Sequence, residues 1–164
     1  MASRVIELIV NEEPRELLAS PGTTLLEALR EGFGLTAAKR GCAQGSCGTC
    51  TVLLDGAPVF ACLIAVETIQ GASIDTLEGV SGPEGELDEV QAAFLEGFAT
   101  QCGFCTPGMI MVAEALLAEN PDPSHEDVVR AISGNVCRCT GYALIIAAIR
   151  DAAARRAAAA AAVA

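Results

Sequence analysis

Eight cysteines in two groups constrain this 164-residue chain more than any other feature. Cys42, Cys47, Cys50 and Cys62 lie in the first half, and Cys102, Cys105, Cys137 and Cys139 in the second. Thiols in such number cross-link a chain, bind metal or fill a core. The opening MASRVIELIVNEEPRE has no long apolar run, because Glu7, Asn11, Glu12 and Glu13 interrupt it. No secretory signal is visible and no run has the length of a membrane span, so a cytoplasmic location is expected. Disulfides rarely persist there, and metal binding becomes the leading use. Aromatic residues make up only 4% and Trp is absent, so two small aliphatic cores would gain from an internal staple. A net charge of −11 argues against nucleic-acid partners and against an electrostatic hold on anionic membranes.

Within the first group, the spacing C-x4-C-x2-C with a distant fourth cysteine is that of a plant-type [2Fe–2S] ferredoxin loop. Bridging sulfides need N–H donors close by, so such a loop must wrap tightly. The run GCAQGSCG places Gly41, Gly45 and Gly48 where close approach and unusual φ are needed. A four-cysteine zinc site commonly shows two CxxC pairs, whereas this group has one, Cys47/Cys50. A Rieske centre needs two histidines, and the chain has only His125.

The surrounding pattern predicts two architectures in series. VIELIV (5–10) reads as a strand, NEEP as a turn and RELLAS (15–20) as a returning strand. Thr24 and Glu27 have capping-box spacing, and Leu25, Ala28 and Leu29 form a helical stripe ending near Gly32. TVLLDGAPVFAC (51–62) reads as two strands about an Asp55-Gly56 hairpin turn, with SIDTLEG (73–79) as one more strand. EGVSGPEGE (78–86) has a linker's composition. Beyond it Leu87, Val90, Phe94, Leu95 and Phe98 predict one apolar helix face. Thr106 and Pro107 open a second helix that stops at Pro121, Ser124 caps a third closed by Gly134, and a fourth begins near Gly141. The expected division is 1–80, a linker at 81–86, a helical part at 87–153 and an alanine-rich tail at 154–164. That tail extends the last helix or frays, and carries no assigned role.

The second cysteine group, C-x2-C followed by C-x-C, is less diagnostic. Two ligand pairs at helix junctions can hold zinc or iron, and pairing with a ferredoxin-like half favours a second [2Fe–2S]. Helices opening at Pro107 and near Gly141 could aim amide N–H groups at these thiolates.

GCAQGSCGTC, FAC (60–62), QCGFCTPGMIM and GNVCRCTGY together closely resemble the iron–sulfur subunit of the molybdenum hydroxylases. This is the xanthine dehydrogenase, aldehyde oxidase and carbon monoxide dehydrogenase family, and the resemblance spans roughly residues 4–150 in order. It implies an α+β chain: an N-terminal β-grasp ferredoxin-like domain, then a C-terminal four-helix bundle, each with one [2Fe–2S] cluster. By that likeness Cys42, Cys47, Cys50 and Cys62 ligate an outer cluster, and Cys102, Cys105, Cys137 and Cys139 an inner one. The inner cluster would adjoin a molybdopterin cofactor in a large partner subunit, contacted by Gln101 and Cys139. The likeness further implies electron relay to FAD in a medium subunit, with a dimer of heterotrimers as the assembly and no catalytic residue in this chain. One departure is visible: LTAAKRGC carries Ala37 and Ala38 where the family commonly has Gly-Thr ahead of the lysine. The alternatives are a free-standing carrier, which would need only the ferredoxin half, and a zinc-stapled interaction module.

Several other features have plainer readings. GFGLTA (32–37) formally matches a dinucleotide fingerprint, but a helix rather than a strand precedes it. His125 reads as solvated, and Met109 and Met111 as packing residues. Arg138, between two predicted ligands, either places a cation near the cluster or points to solvent.

Overall fold

The computed structural model describes residues 2–82 and 84–163; Pro83 of the predicted linker, Met1 and Ala164 lie outside the described residues. In the first half, β1 (Arg4–Val10) alternates exposed and buried positions, with Ile6, Leu8 and Val10 turned inward. It pairs antiparallel with β2 (Glu13–Ala19). The register leaves a loop of just Asn11 and Glu12, with φ of 51° and 67°. The NEEP turn is therefore tighter than predicted, and Pro14 lies within β2, an edge strand that tolerates a missing N–H.

Thr24 caps α1 (Leu25–Glu27) with the predicted box, its Oγ1 accepting from the Glu27 amide at 3.2 Å. The helix then widens into a π-helical turn over Ala28–Gly32, which the stripe does not reveal. Strands β3 (Thr51–Leu54) and β4 (Ala57–Phe60) form the expected hairpin, with φ of 49° at Asp55 and 82° at Gly56. Strand β5 (Ser73–Asp75) lies parallel to β1 and antiparallel to β3, giving a mixed sheet in the order β2-β1-β5-β3-β4.

Four helices follow: α2 (Glu89–Glu96), α3 (Thr106–Glu119), α4 (His125–Ile132) and α5 (Ala143–Val163). Asp88 and Ser124 cap α2 and α4 through reciprocal boxes with Gln91 and Asp127. Helix α2 packs chiefly on α5, while α3 packs on α4 and also on β3 and β4. The first two turns of α3 are buried on nearly every side, from Pro107 through Ala113, because the sheet covers one face and the bundle the other.

The apolar face predicted for α2 is only partly right. Val90, Ala93 and Phe94 face the core, whereas Leu87, Leu95 and Phe98 are exposed. Leu95 lies about 160° around the helix from Ala93 and about 140° from Val90, so it points away from the face those residues bury. Gly97 ends the helix, and Phe98 turns away with φ of 51°. Among the described residues the two apolar cores share no buried residue, and Leu77, ahead of the linker, packs against the helical one. The architecture is a β-grasp ferredoxin-like domain followed by a four-helix bundle.

Candidate metal centres

The first thiol group is presented by the loop between α1 and β3 and by a single 3-10 turn, Ala61–Leu63, that follows β4. The strand pair fixes their relation: the Ala61 amide donates to the Cys50 carbonyl at 3.3 Å. Cys50 and Cys62 are buried and lie within hydrogen-bonding reach of each other. Cys42 and Cys47 form a second close pair and are partly exposed.

Donors surround the exposed pair. The Gln44 and Ser46 amides donate to Cys42 Sγ at 3.5 and 3.3 Å, and Thr49 Oγ1 lies 3.3 Å from Cys47 Sγ. The Ser46 hydroxyl, followed by these amides, lowers the Cys42 thiol to about 6, while burial pushes Cys50 up to about 11. The glycines serve close approach, as the loop spacing predicts. A Cβ on Gly41 would lie 2.8 Å from Cys47 Sγ, and one on Gly45, whose φ is 76°, would run into Leu63.

The second group is assembled from segments more than thirty residues apart. Cys102 and Cys105 sit in the turn entering α3, and Cys137 and Cys139 in the turn before α5. Cys139 Sγ lies 3.6 Å from Cys102 Sγ, and this pair is exposed. Cys105 and Cys137 form the other pair, buried beneath it. Burial acts against the Cys137 thiolate, but the Thr140 hydroxyl at 3.1 Å and amide at 3.5 Å outweigh it and lower the thiol. Burial pushes its partner Cys105 up to about 12. The Phe104 amide lowers Cys102, and the bond to Cys102 raises Cys139.

Amide donors thus reach both groups, but in the second they come from Phe104 and Thr140, in the turns ahead of the helices. The first turn of α3 is otherwise engaged: Pro107 has no N–H and the Met109 amide donates to the Cys105 carbonyl. Ser46, Thr49, Thr140 and Tyr142, whose Oη accepts from the Cys137 amide at 2.9 Å, escape the sequence reading. Their only signal is a hydroxyl within a few residues of a cysteine.

The donor sets fit a diiron group. Each set of four divides into two close pairs, as required where each of two irons takes two thiolates. Gln101 is exposed and next in sequence to the exposed Cys102. His125 and Arg138 are exposed, and Met109 and Met111 are buried packing residues. No described helix is long and apolar enough to cross a membrane.

Fold and thiol arrangement together define a two-domain iron–sulfur protein. Residues 8–70 match the model of a 2Fe-2S iron-sulfur cluster binding domain, and residues 76–150 that of a [2Fe-2S] binding domain. The chain is 50% identical to the nicotinate dehydrogenase small FeS subunit of Eubacterium barkeri, over 88% of this chain and 92% of that one. It is 45% identical to the xanthine dehydrogenase iron-sulfur-binding subunit of Escherichia coli O157:H7, over 89% and 92% of the two chains. Its fold superposes on quinoline 2-oxidoreductase from Pseudomonas putida 86 with a TM-score of 0.92 at 47% identity, covering 97% of this chain and 98% of that one. The chain belongs to the iron–sulfur small subunits of the molybdenum hydroxylase family.

Proposed function

We propose that this chain is the electron-transfer subunit of a molybdenum-containing oxidoreductase complex. The observation that carries the reading is the presence of two complete four-thiol sets, each split into a more accessible pair, partly exposed in the first set and exposed in the second, and a buried pair. Cys42, Cys47, Cys50 and Cys62 would hold an outer [2Fe–2S] group, and Cys102, Cys105, Cys137 and Cys139 an inner one. Such a group, when bound, supplies a one-electron site between a two-electron oxidation and a distant acceptor. The protein's own part is to hold eight thiolates, to shield one pair of each set from water, and to direct amides and hydroxyls at the sulfurs.

Gln101 and Cys139 would face a molybdopterin in a large partner subunit, and the Cys42/Cys47 side would face FAD in a medium one. The assembly would be a dimer of heterotrimers. Electrons would enter at the inner set and leave from the outer, with substrate oxidised in the large subunit and no catalytic residue in this chain. The domain division at 81–86 and a cytoplasmic setting belong to the same proposal. The relatives' names specify nicotinate, xanthine and quinoline, but also aldehydes, which points to a nitrogen heteroaromatic or an aldehyde as the substrate class of the complex.

Purification of the native protein tests this. A brown protein with about four irons and four acid-labile sulfides per chain, recovered with a molybdenum protein, is expected. A colourless protein containing zinc and no labile sulfide would sink the reading. A monomer with two clusters and no molybdenum protein attached would instead favour a free-standing carrier.

A further inference from the structure

We propose that Asn135 is a positioning residue that welds the two thiol loops into one rigid unit, and so sets the spacing between the two thiol sets. The inference rests on the two-cluster reading above and deepens it.

Asn135 is 4% exposed, two positions before Cys137. Its side chain crosses from the helical half to the first half. Nδ2 donates to the Gly48 carbonyl at 3.0 Å and lies 3.4 Å from Thr51 Oγ1. Gly48 lies between Cys47 and Cys50, so the bond lands inside the other thiol loop. That carbonyl also accepts from the Thr51 amide at 3.1 Å and hydroxyl at 2.7 Å, which ties the junction to the start of β3. At the other end the Asn135 amide donates to the Ile132 carbonyl at 2.9 Å, anchoring it to α4. The next residue repeats the link: the Val136 amide donates to the Cys47 carbonyl at 2.9 Å. Cys47 and Cys137 are thus joined by one hydrogen bond and one peptide unit.

Glycine makes this approach possible from both sides. A Cβ on Gly48 would lie 2.5 Å from the Gly134 carbonyl oxygen and 2.6 Å from Asn135 Cγ. A Cβ on Gly108, in the first turn of α3, would run into the Gly48 carbonyl oxygen and lie 3.1 Å from Asn135 Nδ2. Loop, helix start and carboxamide therefore interlock at one buried point with little room for a solvent molecule. A buried amide bonded to a backbone carbonyl costs more to remove than an exposed one, because its partner is left unpaired. Displacing Asn135 must shift both thiol loops relative to each other, since it bonds into one and leads into the other.

The test uses the full iron–sulfur-loaded chain carrying Asn135→Leu, and in parallel the Val136 amide replaced by an ester through 2-hydroxyisovalerate. The ester keeps every side chain and removes only the N–H. Two readouts are taken: amide hydrogen exchange over 46–52 and 134–140, and the spin–spin splitting of the EPR spectrum of the fully reduced protein. Asn135→Leu is expected to speed exchange in both segments by about tenfold and to shift or abolish the splitting, with iron content unchanged. The ester should move both readouts in the same direction by less, and it decides the matter where Asn135→Leu loses iron. Faster exchange confined to 134–140, with the splitting intact, would overturn the proposal. A wild-type chain without iron or labile sulfide would overturn the two-cluster reading instead, and the exchange arm would still judge the weld.

Discussion

The two thiol sets reach the same pairwise arrangement by different means. In the sheet half, three thiols come from one nine-residue span, and the backbone itself is bent to fit: Ala43, Gly45 and Gly48 all have positive φ. In the helical half, two short turns separated by a helical hairpin supply two thiols each, and helix packing brings them together. The first set is thus specified mainly by local conformation, the second by tertiary structure. Local specification leaves a trace in residue spacing. Tertiary specification leaves its trace in the core that holds the turns in place, here Met109, Val128, Ile145 and Ile149.

The largest effect that would break this comparison is loss of one set without the other. Cys62→Ser should abolish one of two EPR-distinguishable signals and Cys137→Ser the other, each with secondary structure retained by circular dichroism. Cys137→Ser should also block reduction of the outer set by substrate in the complex, while Cys62→Ser leaves the inner signal intact. Equal loss of both signals in either variant would contradict two separate sites.

Next in size is Gly108→Ala. Within an exposed helix this change stabilises by roughly 0.5–1 kcal/mol. Here the added methyl meets the Gly48 carbonyl, so a destabilisation of about 1–3 kcal/mol is expected, with the sign reversed. Denaturant unfolding gives the measurement, and a stabilised variant would mean that the start of α3 does not pack against the first thiol loop at this point. Smaller again, Thr24→Ala and Ser124→Ala remove matching capping boxes from the two halves, each at a cost of about 1 kcal/mol. A much larger loss from Thr24→Ala would show that the sheet half depends on its one short helix more than the bundle depends on α4.

Legibility followed the same line between local and tertiary causes. The hairpin at Asp55-Gly56, the capping boxes at Thr24 and Ser124, and the first thiol spacing are short-range features and could be read directly. The parallel pairing of β1 with β5 was not legible, because it joins residues more than sixty positions apart. Nor was the burial of Asn135, since a polar residue between Gly134 and Val136 reads as a turn. Its partner, Gly48, lies 87 positions away. The second thiol group was read as iron only through its pairing with the first and through family likeness. The exposure of Leu95 shows the limit of a stripe: Val90, Ala93 and Phe94 set the buried face, and Leu95 falls on the opposite side of the helix.

A pH slope should also differ between the halves. In the bundle, Arg156 Nη2 donates to Asp88 Oδ2 at 2.8 Å and to Glu114 Oε2 at 2.7 Å, with Glu89 Oε2 3.6 Å from its Nε. Three carboxylates share one guanidinium. Burial, with Asp88 alongside, raises Glu114 from 4.5 to about 7, against the pull of Arg156. The folded state therefore holds a proton that the unfolded chain has released between those two values. Stability from this group is full below about 4.5, falls as pH rises, and levels off above about 7. In the sheet half Asp75 is raised in the same direction, by burial first and then by Glu12 and Asp55. Thermal melts between pH 5 and 8 should show a declining midpoint that Glu114→Gln flattens most and Asp75→Asn flattens less. An unchanged slope in Glu114→Gln would mean that Arg156 keeps all three carboxylates ionised, and that the bundle tolerates this charge without a bound proton.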